Sequence, residues 1–142
     1  MEKNELVKRL VDAYNNKKLD EFDAFLADDV VLVRDEEKAH GREEFKKVLA
    51  RLHKAFPDIQ YKIDDTILAG DRIILRWEGR GTHKGEYLGV PATGRAVSYT
   101  GITVYELKGE KIAKIFVAAD LLSLLRRLRD AKATAEKEGP RA

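Results

Sequence analysis

Apolar residues in the first part of the chain recur at helical spacing. Leu6, Val7, Leu10, Val11 and Tyr14 form one broad stripe, which predicts a first helix with Asn4 as its N-cap. A short second helix is expected to carry Leu19, Phe22, Phe25 and Leu26, with Asp20 near its start. The Ala27-Asp28-Asp29 break then leads into a strand, Val30-Val31-Leu32-Val33. Beyond Gly41, apolar positions from Phe45 recur at offsets of 3, 4, 7 and 11 (Val48, Leu49, Leu52, Phe56) and predict a third helix. Pro57 ends it, because proline lacks the amide donor and its ring blocks the preceding turn.

After Pro57 the period changes to two. Ile59, Tyr61 and Ile63 alternate with polar residues, and Gly70-Asp71 makes a turn. In the next strand Ile73, Leu75 and Trp77 share one face, while Ile74, Arg76, Glu78 and Arg80 share the other. Residues 83–94 form a long connection containing glycine and proline. A strand through Val97, Tyr99, Thr103 and Tyr105 follows, closed by a Lys108-Gly109-Glu110 turn. The last strand runs from Lys111 to Ala119, and a final helix carries Leu121, Leu124, Leu125 and Leu128.

The segment joining the middle strands is the most telling. A strand ending in Arg76-Trp77 runs into Gly81-Thr82-His83-Lys84-Gly85-Glu86, then Tyr87, Leu88-Gly89-Val90-Pro91 and a Thr93-Gly94 turn. This pattern resembles the SnoaL-like polyketide cyclase and ester cyclase family, within the nuclear-transport-factor-2-like superfamily. The resemblance runs over roughly residues 4–128. It implies an α+β fold, a cone-shaped, curved, mostly antiparallel sheet wrapped around helices, in the order ααβαββββα. Such a cone encloses a pocket at its open end.

At 142 residues with 44% apolar content, one core is expected. The domain spans 1–129, followed by a polar tail over 130–142. Charged residues reach 37%, but the net charge is only +2. Six basic and three acidic residues lie from Arg126 to Ala142, leaving 21 basic against 22 acidic elsewhere. A body this neutral argues against a nucleic-acid groove, which needs a clustered basic face. With no cysteine, disulfide and thiolate chemistry are excluded. The first residues lack a signal-like apolar run, and no stretch approaches membrane-span length, so a cytoplasmic protein is expected. The scarcity of Cys and Met beside abundant Glu, Lys and Arg is also a pattern of thermophilic or computationally idealised sequences.

Asp120 is the leading candidate for chemistry. The resemblance aligns Gly109-x-Lys111-Ile112 and Asp120 with a family motif whose aspartate acts as general acid/base in a cofactor-free ring closure. That chemistry needs a carboxylate in apolar surroundings, which Phe116, Val117, Ala118 and Ala119 would supply. Asp120 also directly precedes an apolar helical run, where aspartate caps free backbone N–H groups. The family's Glu-His-Trp is replaced here by Lys114-Ile115-Phe116, and an acid or histidine of the first strand by Leu32-Val33. Each change removes a polar group that would stabilise an enolate-like oxygen.

His83 matches the histidine of the family's Gly-Thr-His segment and is the second catalytic candidate; a loop histidine bonded to backbone or Glu86 is the alternative. His40 and His53 read as structural, and three histidines this scattered do not make a metal site. Tyr14, Phe56, Trp77, Tyr99 and Phe116 are candidates for lining a ligand pocket, and each also reads as core. Arg76 and Glu78 read as a surface or interface ion pair. No cofactor is expected, and the partner expected is a small hydrophobic or aromatic molecule. Apolar residues on both sheet faces, Ile73 and Leu75 against Ile74, imply cover on both and hence a homodimer. Three functional classes stay open: a cofactor-independent cyclase, isomerase or lyase using Asp120, a non-catalytic binder of a small apolar molecule, and an idealised scaffold.

Overall fold

The structure, a computed structural model, describes residues 1–129; the polar tail expected over 130–142 lies outside them. Helix α1 (Lys3–Asn15) is followed by a 3-10 turn at Leu19–Ala24 and strand β1 (Leu26–Arg34). Strand β2 (Glu37–His40) turns back into helix α2 (Gly41–Ala55). Strands β3 (Gln60–Ala69), β4 (Arg72–Thr82), β5 (Ala96–Lys108) and β6 (Lys111–Ala119) then lead to helix α3 (Leu121–Arg129). One six-stranded sheet results, ordered β2-β1-β6-β5-β4-β3. It is mixed and not closed: β1 runs parallel to β6, and the other neighbouring pairs are antiparallel.

The α+β architecture matches the expectation, with local corrections. Helix α1 starts two residues earlier than expected, and its cap is Glu2 rather than Asn4. The Glu2 carboxylate accepts from the amides of Asn4 (2.9 Å) and Glu5 (3.2 Å), where it also meets the positive end of the helix. The second helix is a single 3-10 turn. Ala27-Asp28-Asp29 is not a break but an irregular stretch inside β1, where the pairing with β6 shifts between Leu26 and Val31. Strand β2 has no counterpart in the expected order, because it carries a single apolar anchor, Ala39.

The concave face of the sheet holds the core. Leu6, Val7, Leu10 and Ala13 of α1 and Phe45, Val48, Leu49, Leu52 and Ala55 of α2 are buried against it. Each large apolar side chain so buried contributes about 1.5–3 kcal/mol, more than a typical cap, so packing rather than helix ends sets where the helices sit. On β4, Ile73, Leu75 and Trp77 point inward, as the period of two requires, and Ile74, Arg76 and Arg80 do not. Helix α3 buries Leu124 and Leu128 and closes the last strand. The i, i+2 ion pair expected between Arg76 and Glu78 is instead made by Glu78 and Arg80, at 2.9 Å. Among the described residues, no helix is long and apolar enough to cross a membrane.

Candidate functional site

Between α1, α2 and the concave sheet face lies a cavity of about 70 Å³, several times the minimum that one water needs. Helix α1 contributes Val11 and Tyr14, and α2 contributes Phe45, Val48, Leu49 and Leu52. The strands supply Leu32 and Arg34 (β1), Tyr61 and Ile63 (β3), Leu75 and Trp77 (β4), Tyr99, Thr103 and Tyr105 (β5) and Val117 (β6). Arg34, Val48 and Leu52 also line a larger outer groove, so these three side chains form the wall between cavity and exterior.

An aromatic wall fixes the cavity's shape. The Trp77 indole stands edge-on between Tyr61 and Tyr99, each centroid 5.4 Å away at 89° and 90°. These are favoured quadrupole geometries. Its Nε1 donates to Thr103 Oγ1 at 2.9 Å, which satisfies the one polar atom of a buried ring. Gly101 faces Trp77 across the β4–β5 ladder, and a Cβ there would lie 2.3 Å from the indole. Glycine is required because the ring lies flat over that position. Deeper in, the hydroxyls of Tyr14 and Tyr105 share a hydrogen bond of 3.1 Å. Burial raises the pKa of Tyr14, Tyr61 and Tyr105 above the usual phenol value and pushes Tyr99 up to about 12. All four are neutral hydroxyls at neutral pH.

Among the described residues Arg34 is the one charged side chain in the cavity lining. Its position follows from alternation on β1: Val30 and Leu32 are buried, and Arg34 extends the same face. Nη2 donates to the Tyr87 hydroxyl at 2.6 Å. Burial opposes its charge, but the phenol oxygens of Tyr87, Tyr99 and Tyr61 outweigh that effect, and its pKa lies above the ordinary arginine value. Tyr87 is itself held by a two-residue turn. Leu88 (φ 51°) and Gly89 (φ 77°) are both left-handed, and Tyr87 and Val90 exchange backbone hydrogen bonds of 3.0 and 2.9 Å.

The structure places the sequence candidates unequally. Tyr14, Trp77 and Tyr99 line the cavity. Phe56 is buried but absent from the lining; it packs against His83 and Tyr87, 5.5 and 5.3 Å between centroids. Phe116 is exposed on the outer sheet face with Lys114 Nζ 4.6 Å from its ring, because on β6 it is Ile115 and Val117 that turn inward. Asp120 is exposed and does not line the cavity. Its carboxylate accepts from the Ser123 amide (3.1 Å) and hydroxyl (2.7 Å), which lower its pKa below the usual carboxylate value. This is N-cap geometry for α3.

His83 is buried and likewise not among the residues that line the cavity. Its Nδ1 accepts from the Thr93 amide at 3.2 Å and lies 3.0 Å from Thr93 Oγ1, and burial lowers its pKa despite nearby Glu86 and the carbonyls of Gly85 and Val90. It pins residues 83–94 together, as do the hydrogen bonds from its own amide to Arg95 O and from Gly94 N to its carbonyl, both 2.8 Å. His40 N-caps α2 through its backbone, its amide donating to Glu44 at 2.7 Å. His53 is half-buried, its pKa lowered by burial and by Lys17. Among the described residues no group of three His, Cys, Asp or Glu side chains is placed to hold a metal ion.

Sequence reasoning missed Arg34, Tyr61 and Tyr105 as site residues. The signal for Arg34 was present in the i, i+2 series Val30, Leu32, Arg34, had the strand been carried one residue past Val33. Tyr61 and Tyr105 lay at inward positions of their strands, beside Ile63 and Thr103.

The same cone recurs in solved structures. TsrD from Streptomyces laurentii superposes with a TM-score of 0.80 at 26% identity, covering 88% of this chain and 92% of its own. IdmH from Streptomyces antibioticus gives 0.77 at 26% identity, covering 90% and 99%. A SnoaL-like polyketide cyclase from Agrobacterium tumefaciens gives 0.76 at 21%, covering 88% and 96%, a likeness of fold alone. No curated protein sequence matches the chain. The family model for SnoaL-like polyketide cyclases matches residues 4–128, which includes every residue that lines the cavity. The chain therefore belongs to the SnoaL-like polyketide cyclase family.

Proposed function

We propose that this protein binds a small, largely apolar aromatic or carbonyl compound inside the cone, holding it without turnover. The observation that carries this reading is the lining itself. Aliphatic and aromatic side chains surround the cavity with four neutral phenols, whose pKa values burial raises further, and among the described residues neither a carboxylate nor a histidine lines it. A proton-abstracting base would have to be one of those groups near neutral pH. Thr103 and those phenol hydroxyls not spent on one another can donate to a carbonyl oxygen while the rings enclose the rest of the ligand. The test is a titration with the neutral aromatic 2-naphthamide, read by the fluorescence of Trp77, the chain's one tryptophan. Saturable quenching is expected, and Val117→Phe, which fills the cavity from β6, should abolish it. Quenching that survives in Val117→Phe would place the ligand elsewhere.

A second reading is favoured by family membership: a cofactor-independent cyclase or isomerase in which Asp120 is the base. It requires Asp120 to leave Ser123 and reach a ligand from the far end of β6. Asp120→Asn decides between the two readings: full loss of turnover of an enolisable ester with unchanged affinity supports catalysis, and unchanged behaviour supports binding alone.

The outer sheet face supports a homodimer. Ile67, Ile74, Val104, Phe116 and Val33 lie in register across β3, β4, β5, β6 and β1, with Ile67 and Phe116 exposed. A second copy laid on this row would cover it with like residues.

A further inference from the structure

We infer that Arg34 makes the cavity selective for ligands bearing a carboxylate on an aromatic or alicyclic body. The inference rests on the binding reading above and names the ligand class for the same cavity. A guanidinium carries its charge at any physiological pH, and that of Arg34 stands half-buried at the wall between cavity and groove, where a carboxylate can replace water on its donors. Among the described residues Arg34 makes no ion pair, and its one hydrogen bond spends Nη2 on a neutral phenol. Among the described residues Nε, Nη1 and the second hydrogen of Nη2 have no acceptor, which leaves Nη2 with one of its neighbours as the fork that a carboxylate engages with two parallel bonds.

The surroundings favour an anion only at this point. The outer groove carries Asp35, Glu36, Glu37 and Glu86, of which Glu37 is paired with Arg51. Arg34, Arg51 and Lys54 line the same groove, so the mouth is close to balanced in charge and does not concentrate anions. Discrimination has to come from Arg34 itself, at the wall between groove and cavity. Tyr87 holds the guanidinium in place, so the donors are oriented before the ligand arrives. A two-ring body exceeds the interior of about 70 Å³, so seating it with the carboxylate against Arg34 and the ring toward Trp77 requires the wall of Arg34, Val48 and Leu52 to give toward the outer groove.

The experiment compares two probes of the same shape, 2-naphthoate and 2-naphthamide, by calorimetry at neutral pH. The wild-type protein should bind the carboxylate at least about tenfold more tightly, the gain expected when the guanidinium meets an opposite charge and two acceptor oxygens in place of one neutral carbonyl. In Arg34→Met both probes should weaken, the carboxylate much more than the amide, so that the ratio falls to about one or below. Tyr87→Phe, which leaves the charge but frees its orientation, should give an intermediate ratio, and it serves if Arg34→Met does not fold. Equal affinities in the wild type would overturn the inference and leave the binding reading standing. A tenfold preference that persists in folded Arg34→Met would also overturn it, since another group would then supply the charge. No binding of either probe would remove the binding reading, and the inference with it.

Discussion

Replacing Gly101 by alanine should drive the Trp77 indole into the cavity that it lines. The added Cβ would stand 2.3, 2.6 and 2.8 Å from Cζ2, Cη2 and Cε2 of that ring, against about 3.5–4.0 Å for carbon atoms in comfortable contact. The ring must retreat by about an ångström or more, and it is clamped by Tyr61, Tyr99 and the bond to Thr103. Overpacking of this kind costs about 1–3 kcal/mol, and losing the Nε1 bond adds about 1–3 kcal/mol for a buried donor. Against a total stability of about 5–15 kcal/mol, the variant should fold but melt well below the wild type. Urea unfolding followed by far-ultraviolet circular dichroism gives the difference, and the same probe works in a Trp77→Leu background where tryptophan fluorescence is gone. There the alanine has nothing to strike, so its penalty should nearly vanish, a coupling between contacting residues that a double-mutant cycle isolates. Ligand affinity in the single variant should fall along with stability. A loss below about 0.5 kcal/mol, the range of ordinary surface changes, or an equal loss in both backgrounds, would refute the reasoning.

Three further outcomes follow from the same geometry. Asp120→Ala should lower the melting temperature while Asp120→Asn leaves it nearly unchanged, since asparagine caps about as well; a large loss in the asparagine variant would speak against the cap. His83 and His53 have pKa values lowered by burial, so the unfolded chain takes up protons that the folded chain refuses. Their contribution is present above the unfolded histidine value and lost as pH falls through the folded one, so the urea midpoint should decline below about pH 6.5, less steeply in His83→Asn; an unchanged slope would show that His83 is not responsible. Light scattering should give twice the 16.1 kDa chain mass, and Phe116→Glu should give the single mass; a wild-type monomer at micromolar concentration would remove the dimer.

How far the sequence could be read depended on which physical signal each part carries. Period-two alternation put Ile73, Leu75 and Trp77 on one face, which the structure turns inward, because a half-buried strand writes its faces into the chain; the strand after the Lys108-Gly109-Glu110 turn likewise runs from Lys111 to Ala119 as expected. Proximity to a motif was a weaker guide. Phe116 and Asp120 are close in sequence to residues that face the cavity, yet one points to the opposite side of β6 and the other caps α3. Arg34 was hidden because the strand was ended at the last aliphatic residue, as though a charge could not continue a buried face. Strand β2 was hidden because three of its four residues are polar. The cavity itself depends on how α1 and α2 lean over the sheet, a relation between distant segments that no local pattern encodes.

The account rests on the interior of the cone being the binding site, and methyl-resolved NMR tests that most directly. With leucine, valine and isoleucine methyls labelled, 2-naphthamide should shift Val11, Leu32, Val48, Leu49, Leu52, Ile63, Leu75 and Val117, the aliphatic residues of the cavity wall. Shifts confined instead to Ile67, Leu68, Ile102 and Leu122, which are exposed on the outside, would contradict it.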